Sequence, residues 1–293
     1  MYFKNNIKID FGSILYNNIY IEEQYMKKIN FNEEQVQQII KLYVEEHISL
    51  TKLAKQFNVS RTVITRIIKE QDINIRQDNH SYYAEYRMFN NIDNAEKAYW
   101  LGFIAADGCV FERENNASVK LNIHERDEPH LIKLRTFLKG NMPIKHIIQN
   151  AGFSNNTPMV RIDFNSIEMV EDFKKHGVTP RKSLNLKPPL IDKQFYLPYI
   201  LGYFDGDGSI FESGTEFGIN IEGTKETLDW INSLLNISSS LEQRKESDKN
   251  NYYIRCGGIQ KPYNIMKKLY DSCPVHLDRK YEKFLKLQSR LNQ

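Results

Sequence analysis

The chain of 293 residues has little cysteine, little net charge and no long apolar run. Its three cysteines, Cys109, Cys256 and Cys273, form no paired framework and stand at no metal-ligand spacing. No stretch approaches the ~18 consecutive apolar residues of a membrane span, so no membrane partner is expected. The opening residues MYFKNNIKIDFGS put charges where a signal peptide needs an apolar core. With 40 Lys+Arg against 37 Asp+Glu the formal charge is +3, which excludes a single strongly basic nucleic-acid tail. What is present is ordinary for a folded protein. Hydrophobic residues make up 41% and charged residues 26%, and the length suits about two domains. The expectation is a reduced, cytoplasmic protein.

Residues 1–30 show no period and suggest no role. From Asn32 the pattern sharpens. Asn32 and Gln35 have the spacing of a capping box, and Val36, Ile39, Ile40, Tyr43 and Val44 then recur at helical intervals. Ser49 is placed to cap a second, short helix with Leu50, Leu53, Ala54 and Phe57 inside. Asn58 supplies a turn residue that tolerates left-handed angles. Ser60 is placed to cap a third helix carrying Val63, Ile64, Ile67 and Ile68. Helix, tight turn, helix is the pattern of a helix-turn-helix domain, here bounded at 31–76, whose second helix enters the major groove of DNA. Residues 49–69 hold Lys52, Lys55, Arg61, Arg66 and Lys69 and no acid, a local charge of +5 hidden by flanking carboxylates. A solvated face on a small bundle would show the same charges, but clustering of this kind is what phosphate contact requires. Arg61, Thr62, Thr65, Arg66 and Lys69 are the candidates to reach DNA.

Residues 77–94 are polar and read as a linker. Beyond them the chain repeats itself. YWLGFIAADGCVF at 99–111 matches YILGYFDGDGSIF at 199–211, offset by 100 residues. LNIHERDEPHLIKLRTFL from Leu121 matches INIEGTKETLDWINSLL from Ile219, offset by 98, and Lys182 in TPRKS matches Lys280 in LDRKY at the same offset. Such a long unit implies two duplicated subdomains, 95–190 and 191–293, and excludes a solenoid. Each reads as helix, two strands, helix, two strands, helix. In one repeat Val119, Leu121 and Ile123 alternate with Ser118, Lys120 and Asn122; in the other Phe217, Ile219 and Ile221 alternate with polar neighbours. An antiparallel sheet with one apolar and one wet face follows, hence an α+β fold. Lys120, Arg161, Tyr253 and Arg255 lie on the wet faces. Alternation alone reads them as solvated surface, although a β-ribbon reading a groove would look the same.

Each repeated helix ends in a carboxylate, Asp107 and Asp207, and the second carries Asp205 as well. An anion at a helix C-terminus opposes the macrodipole by about 0.3–1 kcal/mol. Gly102 and Gly202 each cost about 1 kcal/mol in mid-helix, a cost that makes sense if the two helices approach closely. Gly108 and Gly208 suit a left-handed residue just past the helix. Two such helices packed across a pseudo-two-fold bring Asp107 and Asp207 together, and neighbouring carboxylates repel unless a proton or cation intervenes. Carboxylate oxygens are what Mg²⁺ accepts, and divalent ions so held promote phosphodiester hydrolysis.

These two segments, WLGFIAADG and ILGYFDGDG, resemble the paired motifs of LAGLIDADG homing endonucleases in their single-chain, two-repeat form, over about residues 95–293. The resemblance implies that the motif helices form the interface between repeats and that the sheets make a saddle over the DNA major groove. It implies that Asp107 and Asp207 bind Mg²⁺ (or Mn²⁺), and that a basic residue from each repeat supports the transition state. Lys182 and Lys280, 75 and 73 residues beyond the matching Asp, fit that role best. The first motif departs from the second in having Ala105 where Asp205 stands. Asp205 is therefore expected to cap or bond locally and not to hold metal. The implied protein is a monomeric, site-specific double-strand DNA endonuclease, bacterial or phage-encoded. A non-cleaving DNA-binding regulator and an RNA splicing cofactor are the alternatives on this scaffold.

Overall fold

The computed structural model describes residues 31–46, 48–73, 75, 82–114, 116–150, 156–213, 216–238, 240–243 and 250–291. The segment 1–30 lies outside them, as do residues 76–81. The chain divides into two units, 1–83 and 84–293.

Local sequence sets the start of each helix in the smaller unit. Asn32 caps α1 (Glu33–Val44): its Oδ1 accepts the Gln35 N–H at 2.8 Å while Gln35 Oε1 accepts the Asn32 N–H at 3.1 Å. Ser49 caps α2 (Leu50–Gln56) by accepting from Lys52 N. Asn58 turns the chain at φ 52° into α3 (Arg61–Glu70). Ser60 occupies the N-cap position of α3, but its side chain makes no capping bond, contrary to the expectation from its type. Ile39, Leu53, Ile64 and Ile68 close a separate small core between the three helices.

The larger unit begins at residue 84, inside what composition reads as a linker. Glu85 N–H bonds the Leu138 carbonyl, Arg87 pairs with the buried Asp172 at 3.0 Å, and Phe89 packs against Phe137 and Phe173. Residues 84–94 are thus part of the first repeat. Their polar majority disguises three apolar anchors, Ala84, Phe89 and Ile92.

The first repeat runs α4 (Ala95–Asp107), β1 (Gly108–Arg113), β2 (Asn116–His124), α5 (Glu128–Phe137), β3 (Lys145–Gln149), β4 (Thr157–Asn165), α6 (Ile167–Lys175). The second runs α7 (Tyr196–Asp207), β5 (Gly208–Ser213), β6 (Glu216–Gly223), α8 (Lys225–Leu235), β7 (Glu242–Gln243), β8 (Tyr252–Gly258), α9 (Gln260–Tyr270), and adds α10 (Asp278–Leu291). Two antiparallel four-stranded sheets result, ordered β1-β2-β4-β3 and β5-β6-β8-β7, and the fold is α+β as expected. Their register follows the alternation: Leu121 faces Ile162 and Ile221 faces Ile254 on the apolar sides, Lys120 faces Asp163 and Asn220 faces Arg255 on the wet ones.

α4 and α7 pack on each other and are buried from Ala98 to Ala105 and from Pro198 to Asp205, as helix segments apolar all round must be. A Cβ on Gly102 would stand 2.0 Å from the Tyr199 carbonyl oxygen, and one on Gly202 would stand 1.9 Å from that of Tyr99. Glycine at both positions is a packing requirement, because backbone touches backbone. Among the described residues no helix is long and apolar enough to cross a membrane.

Candidate active site

The close crossing of α4 and α7 puts the two helix C-termini side by side. Gly206 must lack a side chain because a Cβ there would meet Ala106 Cβ at 2.4 Å, with the Asp107 carboxyl carbon at 3.4 Å. Gly108 and Gly208 follow the helices with φ −74° and −92°, ordinary extended angles that correct the expectation of left-handed caps. The reason for glycine is again space. A Cβ would approach the Ile104 carbonyl to 2.5 Å or the Phe204 carbonyl to 2.4 Å, since each β-strand starts directly against the last helical turn.

Asp107 and Asp207 sit at this junction, open to solvent but with raised proton affinity. Burial pushes the Asp107 carboxyl up to about 7, the negative charge of Asp207 adds to the effect, and Lys280 and Lys182 pull it back. Asp207 is raised as well, again by burial first and also by the charge of Glu222, with Lys182, Lys280 and the nearby Tyr203 hydroxyl opposing. The Tyr203 hydroxyl also lies 3.0 Å from the Glu222 carbonyl oxygen. The matching residue in the first repeat is Phe103, which has no hydroxyl to offer Asp107.

Lys182 and Lys280 are buried, not the surface lysines that a polar sequence context suggests. The Lys280 ammonium donates to the carbonyl oxygens of Phe204 (2.6 Å), Asp205 (2.8 Å) and Gly208 (2.5 Å); the Lys182 ammonium donates to that of Ala106 at 2.7 Å. Each lysine thus caps the negative end of a motif helix and offsets the dipole penalty of the adjacent carboxylate. Burial lowers both ammonium groups, that of Lys280 to about 8.

Two cavities flank the junction. One of about 300 Å³ is lined by Ala106, Lys182, Tyr203, Asp207, Glu222 and Thr224. The other, of about 210 Å³, is lined by Asp107, Asn122, His124, Asp205, Gly206 and Arg279. The strand ends that carry His124 and Glu222 therefore reach the site. Arg279 belongs in the sequence to a basic cluster at 279–290 and is not marked there as a site residue, although Arg-Lys recurs in TPRKS and LDRKY. Its Nε lies within 3.0 Å of both oxygens of the nearly buried Asp127.

Asp205 bonds over long range and not locally. Its Oδ2 accepts from the Tyr99 hydroxyl at 2.6 Å and from Leu277 N–H at 2.7 Å, while Oδ1 has no hydrogen-bond partner among the described residues. Burial lifts its carboxyl to about 6, against Lys280 and these two bonds. Since Tyr99 gives its proton to Asp205, the ring nitrogen of His130 3.0 Å from the same hydroxyl must be the donor there, so His130 is the neutral Nε2–H tautomer. Burial agrees, lowering His130 to about 3.

A divalent ion fits the donor set. Among the described residues no group of three His, Cys, Asp or Glu is placed to hold a metal. A pair of carboxylates, whose mutual repulsion an ion relieves, leaves most coordination positions to water and phosphate oxygens, the preference of Mg²⁺.

The remaining candidates lie on surfaces. Lys120 and Arg255 are exposed on the wet sheet faces and Arg161 and Tyr253 are half-exposed there. Arg161 approaches Asp163 at 3.2 Å, and the Arg255 guanidinium stacks over Phe211 at 4.0 Å. In the smaller unit Arg61, Thr62 and Lys69 are exposed on α3, with Thr65 and Arg66 half-buried beside them. Thr65 Oγ1 donates to the Arg61 carbonyl and Arg66 pairs with Glu70 at 3.6 Å.

No family model and no curated protein sequence matches the chain. Similar solved structures include the I-LtrWI LAGLIDADG homing endonuclease bound to target DNA, at 14% identity and a TM-score of 0.44, covering 71% of this chain and 92% of that one. The I-SmaMI meganuclease bound to uncleaveable DNA is similar at 14% identity and 0.44, covering 65% and 89%. The LAGLIDADG homing endonuclease I-GzeII in complex with a DNA target follows at 10% and 0.43, covering 66% and 88%.

Proposed function

We propose that the chain is a site-specific DNA endonuclease of the LAGLIDADG type, acting as a monomer on double-stranded DNA. The observation that carries this reading is the paired junction itself. Two solvent-exposed aspartates of raised proton affinity lie at adjoining helix ends, each beside a cavity, with two buried lysines close by. A merely structural helix pair has no reason to set two like charges side by side at the negative ends of both helices.

Asp107 and Asp207 would hold Mg²⁺ (or Mn²⁺), which when bound supplies an activated water and neutralises the leaving oxygen. The residues of this chain do the rest. Lys182 and Lys280 present fixed positive charge toward developing negative charge on phosphate, in a site where low dielectric strengthens the effect. Arg279, Asn122 and His124 on one side and Glu222 on the other line the cavities where water and phosphate oxygens would be ordered. Lys120, Arg161, Tyr253 and Arg255 on the wet faces would contact the duplex, and Arg61, Thr62, Thr65, Arg66 and Lys69 on α3 would read a second stretch as a helix-turn-helix does. Tethering the two units raises the effective concentration of each at its site.

The test is incubation with DNA from the protein's own locus lacking any insertion, with and without Mg²⁺, followed by mapping of ends. Double-strand ends at one site are expected with Mg²⁺ alone. Asp207→Asn should lower cutting at least ~100-fold while sparing binding. Tight, specific binding without cleavage by the wild type would make the chain a regulator instead.

A further inference from the structure

Among the buried positions at which the two repeats differ, one reaches a lysine of the site. Asp205 stands in α7 where α4 has Ala105. Its carboxylate holds Leu277 N–H at 2.7 Å, and the Leu277 carbonyl in turn accepts Lys280 N–H at 3.0 Å as α10 begins. The loop closes when the Lys280 ammonium returns to the Asp205 carbonyl at 2.8 Å. Tyr99, from the other motif helix, fixes the same carboxylate oxygen at 2.6 Å. Among the described residues no such ring surrounds Lys182. It stands in a short turn of 3-10 helix, Lys182–Leu184, preceded by Arg181 at φ 57°, and bonds the Ala106 carbonyl. Across the interface Tyr199, the counterpart of Tyr99, faces a repeat without the carboxylate, and its hydroxyl has no hydrogen-bond partner among the described residues.

From this geometry we infer that Asp205 is the positioning residue for Lys280, so that one lysine centre is braced and the other is not. This rests on the endonuclease reading for its consequence in cutting, but the brace itself is a property of the free protein. In a nuclease the two strands then depend unequally on position 205. Loss of the carboxylate weakens cutting by the Lys280 centre and leaves the Lys182 centre as it was.

The first experiment needs no DNA and no metal. The full chain is pulsed with an amine-reactive acetylating reagent, and modification of each lysine is read by mass spectrometry of peptides. In the wild type Lys280 stays protected. Asp205→Ala should expose Lys280 several-fold while Lys182 keeps its wild-type rate, and Asp205→Asn, which retains an oxygen to accept Leu277 N–H, should restore much of the protection. Asp205→Leu fills the space without an acceptor and serves where alanine unfolds the chain. Unchanged labelling of Lys280 in both the alanine and leucine variants, or an equal rise at both lysines, overturns the inference.

The second experiment follows each strand of a labelled duplex separately. Asp205→Ala should slow one strand about tenfold or more and spare the other, and the slowed strand should be the one lost in Lys280→Met. Equal slowing of both strands overturns the inference. Absence of any cutting by the wild type overturns the endonuclease reading instead, and the labelling result then decides the brace by itself.

Discussion

The two repeats build the same junction from unequal means. In the second, α10 brings Lys280 to three carbonyl oxygens, Asp205 ties the start of that helix to α7, and the Tyr203 hydroxyl beside Asp207 donates to the Glu222 carbonyl. In the first, a single turn of 3-10 helix brings Lys182 to one carbonyl oxygen, and Ala105 and Phe103 stand where the carboxylate and the hydroxyl would be. The difference shows which parts of a duplicated unit the fold requires in both copies. Glycine at the crossing, a carboxylate at the helix end and an ammonium over the carbonyls recur. The hydrogen bonds that hold those groups do not.

The largest effect should come from a feature the repeats share. Gly202→Ala or Gly102→Ala drives a methyl into a carbonyl oxygen of the partner helix, and neither backbone has room to yield. Either change should cost about 3 kcal/mol or more in denaturant unfolding, equally for the two helices. Unequal costs would place more of the strain on one repeat than the contacts do.

Asp107 gives the next effect, in metal-free protein. Its folded carboxyl sits near 7, above the unfolded value of 3.8, so the native state holds the proton more tightly. Stability associated with Asp107 is therefore complete below about pH 4 and is lost as pH rises through 7. Asp107→Asn should match the wild type near pH 4 and exceed it increasingly as pH rises through 7, by an amount that solvent screening of the exposed carboxyl reduces. Asp207→Asn should gain less, since Tyr203 and both lysines stabilise that carboxylate. Unfolding curves at several pH values give both differences.

Removing the lysines should separate the repeats. Lys280→Met leaves three buried carbonyls without their donor and should destabilise by about 2–3 kcal/mol, against about 1 kcal/mol for Lys182→Met. Smallest and cleanest is the tyrosine pair. Tyr99→Phe deprives Asp205 and His130 of a partner and should cost about 1–2 kcal/mol. Tyr199→Phe removes a hydroxyl that bonds nothing among the described residues and should be neutral or slightly stabilising.

Much of this was legible in the sequence because the signals are local or periodic. The alternation in 117–123 gave the sheet, and the duplicated segments at 99–111 and 199–211 gave both motif helices and their terminal aspartates. What escaped depends on distance along the chain. Asp205 is 106 residues from Tyr99 and 72 from Leu277, so nothing beside it announces its partners. Lys280 sits among charged residues that suggest solvent, and only the packing of α10 removes it from water. The glycines after the motif helices were legible as necessary, but for the wrong reason, because sequence shows a helix end without showing how close the next strand begins.

The crossing of α4 and α7 also governs when the protein acquires its fold. The surfaces that meet there lie about 100 residues apart, and among the described residues each helix packs most extensively on the other. During synthesis α4 emerges with its crossing face bare and must wait for α7 to be made before backbone can seat on backbone. Contacts of such long sequence separation are reached late and slowly. At typical elongation rates of about 5–20 residues per second that delay lasts roughly 5–20 s, during which the first repeat keeps an apolar helix face in search of a partner.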